Sequence, residues 1–243
     1  MKRVIITGGN SGIGYQVAKQ LAEKGWSVTL FCRWEEAAEQ ACEEIRQQTG
    51  NRHVDYILVD LSDMKSVRKA VEQYIQKEDV LDVLINNAAD FDLSVKKPIL
   101  TKDGLEKQFA TNVAAPFLLS ILLKGLLEKS ESGRIINISS QGLMLYPFMQ
   151  LDFENLSGQK RYSPAKTYYQ NKLALLMLSL YTREHWKGIK IQAIRVTNVR
   201  VDMRRYNHLN TFMKNLYKIK SRFSISPEEM AKVYTALSTE DCY

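Results

Sequence analysis

A chain of 243 residues, 45% hydrophobic and 25% charged, is long enough to bury one large core, and that balance excludes a disordered or fibrous protein. Three cysteines without a C-x-x-C pair and three histidines without H-E-x-x-H leave no expected metal site; free thiols in a reducing, cytoplasmic compartment are expected instead. The net charge of +7 is local, because residues 195–222 hold eight Lys or Arg against one acid, Asp202, while bases and acids balance elsewhere.

Only Met1, Lys2 and Arg3 precede the first apolar run, so no signal peptide is expected. RVIIT at 3–7 reads as a strand, and after a Gly-rich turn Val17, Ala18, Leu21 and Ala22 recur at helical spacing. The alternation repeats with SVTLFC and a helix over 34–48, VDYILV and 63–77, VLDVLIN and 102–129, and RIINIS and 164–186. IKIQAIRV then leads to an irregular stretch and a last helix near 227–238. Strands this rich in Val, Ile and Leu are buried on both faces, and with right-handed crossovers they predict an α/β fold: a single-domain, Rossmann-like, doubly wound parallel sheet with helices on both faces. No repeat or linker divides the chain, so one domain over 1–243 is expected, with a substrate-covering segment at about 197–226. The longest apolar stretch, VAAPFLLSILLKGLL, is interrupted by Pro116 and Lys124, so a soluble protein without a transmembrane segment is expected.

TGGNSGIG, Thr7 to Gly14, falls between the first strand and the first helix. There Gly8 allows a tight exit from the strand, Gly12 removes bulk where a pyrophosphate would approach, and Gly14 permits close helix packing. The helix N-terminus behind them attracts phosphate, and Asn10, Ser11 and Ile13 complete the expected cradle. At the end of the second strand, dinucleotide folds that prefer NAD carry an acid; FCRW has Cys32 there, followed by Arg33. A guanidinium at that place neutralises a 2′-phosphate, so NADP(H) is favoured over NAD(H).

These residues, with Asp60-Leu61, NNAA at 86–89, Asn112, NISS at 137–140 and a Tyr-x-x-x-Lys pair in the same order, resemble the short-chain dehydrogenase/reductase family over residues 3 to about 203. LDFENL followed by RYSPAK resembles its retinol dehydrogenase and WW-domain oxidoreductase branch, which carries an insertion there. The resemblance implies that Asp60 lies by the adenine with Leu61 beside it. Asn86 and Ala88 then line the adenosine side, Val199 touches the cofactor, and Asn112 supports the active-site lysine through a water. As bare residues, Asp60 and Asn86 read as turn-formers at strand ends.

Tyr-x-x-x-Lys occurs twice, at Tyr162–Lys166 and Tyr168–Lys172. Pro164 fits only the first turn of a helix and Ser163 is a good N-cap, so Tyr162 falls outside the helix, whereas Tyr168 and Lys172 share one face inside it. Tyr169 points elsewhere and reads as packing. A phenol with a pKa of about 10 needs a nearby cation to ionise near neutrality. By resemblance, Tyr168 passes a proton to or from the substrate oxygen, Lys172 also holds the nicotinamide ribose, and Ser140 hydrogen-bonds the substrate; Ser139 is its rival, and a serine pair after a strand is also a common cap.

The chain departs from the family at Thr197-Asn198, where Pro-Gly is usual, at Val201, where a threonine is usual, and in NNAA for N-N-A-G. The basic segment, interleaved with Tyr206, Phe212, Tyr217 and Phe223, suggests a large, partly apolar, anionic substrate, or docking to an acidic carrier or a membrane surface; the plain alternative is a solvated helical face. No nucleic-acid motif is present. LALLMLSLY after Lys172 is apolar nearly all round, and by resemblance it pairs across a subunit interface, so a homodimer or homotetramer is expected. The expected activity is an NADP(H)-dependent carbonyl reductase or alcohol dehydrogenase; the alternative is a catalytically weak NADP-binding interaction module on the same fold.

Overall fold

The computed structural model describes residues 1–200 and 224–240. Six parallel strands, β1 (Arg3–Thr7), β2 (Ser27–Cys32), β3 (Val54–Leu58), β4 (Val83–Asn86), β5 (Arg134–Ser140) and β6 (Lys190–Val196), form one sheet in the order β3-β2-β1-β4-β5-β6. Successive side chains leave opposite faces of a strand, so Val4 and Ile6 enter one core while Ile5 enters the other. Helices α1 (Gly12–Glu23), α2 (Glu35–Thr49) and α6 (Pro227–Thr239) cover the first face. On the second lie α3 (Met64–Ile75), α4 (Lys107–Glu128) and α5 (Pro164–His185). Full burial of β1 and β4 between the layers accounts for their unbroken apolar sequences.

Local chemistry sets the helix ends. Asp63 caps α3 by accepting from the Lys65 and Ser66 amides, and Gly50, at φ 70°, ends α2 in a left-handed conformation. Helix α4 begins at Lys107, later than the expected 102, because Gly104 (φ 74°) turns the chain and the Glu106 carboxylate caps the Phe109 amide. Pro116 and Lys124 do not interrupt α4. A π-turn at Ala110–Ala114 widens the helix just before Pro116, relieving the clash its ring would make with the carbonyl four residues back. The resulting 22-residue helix is long and apolar enough to cross a membrane by composition, and 56% of its apolar window is buried in this fold.

The sheet order reverses between β1 and β4, and at such a point the loops leaving the two strands diverge and open a crevice at their carboxyl ends.

Candidate active site

A cleft of about 880 Å³ occupies that crevice. Gly8, Asn10, Ser11, Gly12 and Ile13 form one wall. Gly8 has φ +64°, and a Cβ there would stand 3.2 Å from the Ala88 backbone; Gly12 has φ +59° with open space where a side chain would project. The Ser11 side chain makes no cap to α1, and the first turn of that helix lines the cleft through Gly12 and Ile13. Gly14 lies off the cleft. A Cβ on it would sit 2.5 Å from the Gly8 carbonyl oxygen and 2.6 Å from Asn87 Nδ2, so its role is to let α1 close against the turn.

Arg33, Asp60 and Leu61 line the far end. The Arg33 guanidinium lies 4.8 Å over the Trp34 ring and is exposed, while burial pushes the neighbouring Cys32 thiol up to about 11. Asp60 accepts from the Ser62 amide at 2.8 Å and hydroxyl at 2.7 Å, so it forms a turn as well as lining the cleft. Ala88 lines the middle, its amide donating to Thr7 Oγ1 at 3.0 Å. Asn86 does not reach the cleft. It is 2% exposed, and its Nδ2 donates to Asn137 Oδ1 at 2.8 Å, while Asn137 Nδ2 donates to Ser179 Oγ at 2.8 Å, tying β4, β5 and α5 together beneath the floor. Its neighbour Asn87 lines the cleft instead.

Ser140, Tyr168, Lys172 and Val199 gather at the opposite end. Helix α5 starts at Pro164, with Ser163 Oγ accepting from the Lys166 amide, so Tyr162 stands before the helix. Tyr162 is turned away from the cleft, accepting from Gln108 Nε2 at 3.1 Å and donating to Glu106 at 3.3 Å, and burial near that carboxylate pushes its phenol up to about 12. Tyr168 faces the cleft, with Lys172 Nζ 5.5 Å from its ring centre. The ammonium is buried and donates to the Ile138 carbonyl at 2.7 Å; burial lowers its pKa to about 8. Ser140 and Ser139 both touch the cleft, and the Ser140 hydroxyl accepts from the Gly142 amide at 3.2 Å, capping the short turn that follows β5. Tyr169 packs against Tyr146 (4.9 Å between ring centres) and lies over Gly142.

Asn112 also stands behind the cleft wall. It sits in the π-turn of α4 and clamps the backbone of Asp90, accepting from its amide at 2.7 Å and donating to its carbonyl at 2.8 Å. That clamp fixes Phe91, whose ring stacks on Tyr168 at 4.2 Å. Asp90, Phe91, Lys107, Thr111 and Tyr234 line the cleft without any signal in the sequence. Of the segment expected over the substrate, residues 201–223, with Val201 and most of the basic run, lie outside the described residues, as does Cys242. Thr197 and Asn198 line the cleft, and a parallel bridge joins Val199 to Ile225. Cys32 and Cys42 are free, and no cluster suited to a metal occurs among the described residues.

Comparison with known proteins follows the same lines. The chain is 37% identical to human (Homo sapiens) retinol dehydrogenase 13 over 217 residues, covering 87% of this chain and 63% of that one. It is 40% identical to mouse (Mus musculus) retinol dehydrogenase 12 over 189 residues, covering 78% and 57%. With human retinol dehydrogenase 11 the identity is 34%, covering 95% and 70%. The chain thus spans under two thirds of the length of several curated relatives it matches. Among solved structures, a short-chain dehydrogenase from Sphingobium yanoikuyae in complex with NADPH superposes with a TM-score of 0.72 at 20% identity, covering 98% of this chain and 84% of that one. A short-chain dehydrogenase from Salmonella enterica serovar Typhi gives a TM-score of 0.74 at 19%, covering 99% and 90%. The short chain dehydrogenase family model matches residues 2–211, and the chain belongs to the short chain dehydrogenase family.

Proposed function

We propose that the protein is an NADP(H)-dependent oxidoreductase that interconverts a ketone or aldehyde and the corresponding alcohol, with Tyr168 as general acid and base. A dinucleotide suits the cleft: its volume of about 880 Å³ is in the range of cofactor sites, Gly12 leaves open space at the N-terminus of α1, and the lining includes Arg33, whose guanidinium would pair with a 2′-phosphate. NADPH or NADP appears with several of the structural neighbours.

One observation carries the reading. A lysine ammonium with no ion-pair partner among the described residues is buried directly behind a phenol that faces the cleft. Burying a cation in this way costs stability, and a positive charge held there favours the phenolate, which is what proton exchange with an alkoxide requires. Tyr168 gives its proton to the carbonyl oxygen in reduction and takes one from the alcohol in oxidation. Ser140 hydrogen-bonds that oxygen, and Asn112 acts from behind by holding Asp90. The dinucleotide, when bound, supplies or accepts the hydride. The exposed side chains of Met144, Leu145, Phe148 and Phe153, on the stretch whose Tyr146 stacks beside the Tyr168–Tyr169 pair, favour a large, apolar carbonyl substrate.

Tyr168→Phe in a turnover assay against a panel of aldehydes and ketones tests the assignment. A fall of about 100-fold or more in kcat with NADPH affinity retained is expected; unchanged turnover removes Tyr168 from the chemistry. A protein that binds NADPH but turns over no carbonyl would be the weakly catalytic interaction module instead. A homodimer or homotetramer belongs to the same reading. Ile121 on α4 and Met177, Leu180 and Tyr181 on α5 leave 43–56% of their surface exposed as an apolar face. Sedimentation of a single 28 kDa species at micromolar concentration would overturn that part. The cytosolic location expected for it is tested by cell fractionation.

A further inference from the structure

Tyr234, on the inward face of α6, is 0% exposed, and its hydroxyl has no hydrogen-bond partner among the described residues. Tyr234 belongs to the apolar core that includes Val17, Leu21 and Ile138, and Ile13, Val196 and Val199 pack against that core. A phenol in such a setting normally finds an acceptor or is replaced by phenylalanine, which fills the same space without the penalty of an unpaired hydroxyl. Tyr234 is also part of the cleft wall, as are Ile13 of α1 and the stretch Val196–Val199. Its end of the cleft is that of Tyr168, close enough that a charge on Tyr168 disfavours ionisation of Tyr234, whose pKa burial has already raised. It therefore serves as a neutral donor.

We infer that Tyr234 donates a hydrogen bond to an oxygen of the nicotinamide half of the bound dinucleotide, its carboxamide or its ribose, and so is a cofactor-positioning residue carried by the last helix. The assignment to that half follows from topology: Arg33 follows β2 and Asp60 and Leu61 follow β3 on one side of the sheet, whereas α6 packs on α1 and on β5, the strand that ends at Ser140. Because Tyr234 is both buried and part of the cleft lining, a small side-chain shift on binding would bring its hydroxyl to the cleft. Docking of α6 to α1, secured by Gln20 Oε1 accepting from Thr235 Oγ1 at 2.9 Å, keeps the ring in position. The fold would thus read its own closure through α6, because the residue that completes the nicotinamide end arrives only when the last helix is seated.

The inference rests on the proposed NADP(H) binding, and the experiment separates the two. Tyr234→Phe and the unaltered protein are titrated with NADPH, following nicotinamide fluorescence, and with adenosine 2′,5′-bisphosphate, which carries the adenine half alone; thermal unfolding is recorded without ligand. NADPH affinity is expected to fall about tenfold in Y234F. Affinity for the bisphosphate should be unchanged and the Tm without ligand equal or higher, since an unpaired buried hydroxyl has been removed. Equal NADPH affinity of the two proteins overturns the inference. So does a loss shared by NADPH and the bisphosphate with a lowered Tm, which marks a structural role. An unaltered protein that binds neither NADPH nor the bisphosphate defeats the cofactor reading itself.

Discussion

Replacing Lys172 by methionine keeps the length and apolar stem of the side chain and removes its charge. Lys172 is 2% exposed, and burial lowers its pKa from 10.5 to about 8. The unfolded chain therefore binds this proton more tightly than the folded protein. The stability that the neutral lysine allows is present in full above the unfolded pKa, is lost as pH falls from 10.5 toward about 8, and stays lost below that. At about 1.4 kcal/mol for each unit, the penalty is about 3 kcal/mol at pH 7 and about 1 kcal/mol at pH 9.5. Methionine escapes that penalty but forfeits the hydrogen bond to the Ile138 carbonyl, on the order of 1–2 kcal/mol. K172M is thus expected to be more stable than the unaltered protein by about 1–2 kcal/mol at pH 7, with the advantage shrinking by about 2 kcal/mol at pH 9.5. Urea unfolding of both proteins at the two pH values measures it, and turnover, assayed alongside, should be abolished. A variant less stable at pH 7 by a margin that does not change at pH 9.5 would refute the argument that desolvation governs this residue.

Two further substitutions probe the other end of the cleft and its frame. Arg33→Ser should raise the NADPH dissociation constant about tenfold while leaving NADH within about threefold, because only the 2′-phosphate needs a guanidinium, and the exposed position keeps the effect at the low end. Equal losses for both dinucleotides would show that Arg33 does not read the phosphate. Gly14→Ala places a methyl 2.5 Å from the Gly8 carbonyl oxygen and should lower stability by about 1–3 kcal/mol in chemical unfolding. Gly12→Ala meets open space, so it should cost only the strain of its φ of +59°, about 1–2 kcal/mol, and weaken the dinucleotide instead. If G14A were as stable as the unaltered protein, the close approach of α1 to the turn would not be a packing requirement.

Much of the fold is written in local signals. RVIIT, SVTLFC and RIINIS become strands within a residue of their expected limits because β-branched runs have few other ways to bury both faces. That Tyr162 stands before α5 while Tyr168 and Lys172 lie together inside it was legible for a similar reason: Ser163 and Pro164 mark where a helix begins, and side chains four apart within it must share a face. The glycine turn between β1 and α1 likewise announces a cradle, since Gly8 and Gly12 take backbone angles that other residues resist.

The same letters leave other questions to the tertiary structure. Asn86 and Asn87 are adjacent and chemically identical, yet one is spent on Asn137 under the sheet and the other lines the cleft, because strand pairing directs the first toward β5. Ser140 and Asp60 act as local caps as well as cleft residues, so their pattern in the sequence is ambiguous by nature. Phe91 on Tyr168, Asn112 on Asp90 and Thr235 on Gln20 bring together segments that have no periodicity in common. Caps and alternation are free energies of neighbouring residues and can be read one window at a time, whereas these contacts exist only after β1, β4 and β5 have paired and α6 has packed on α1.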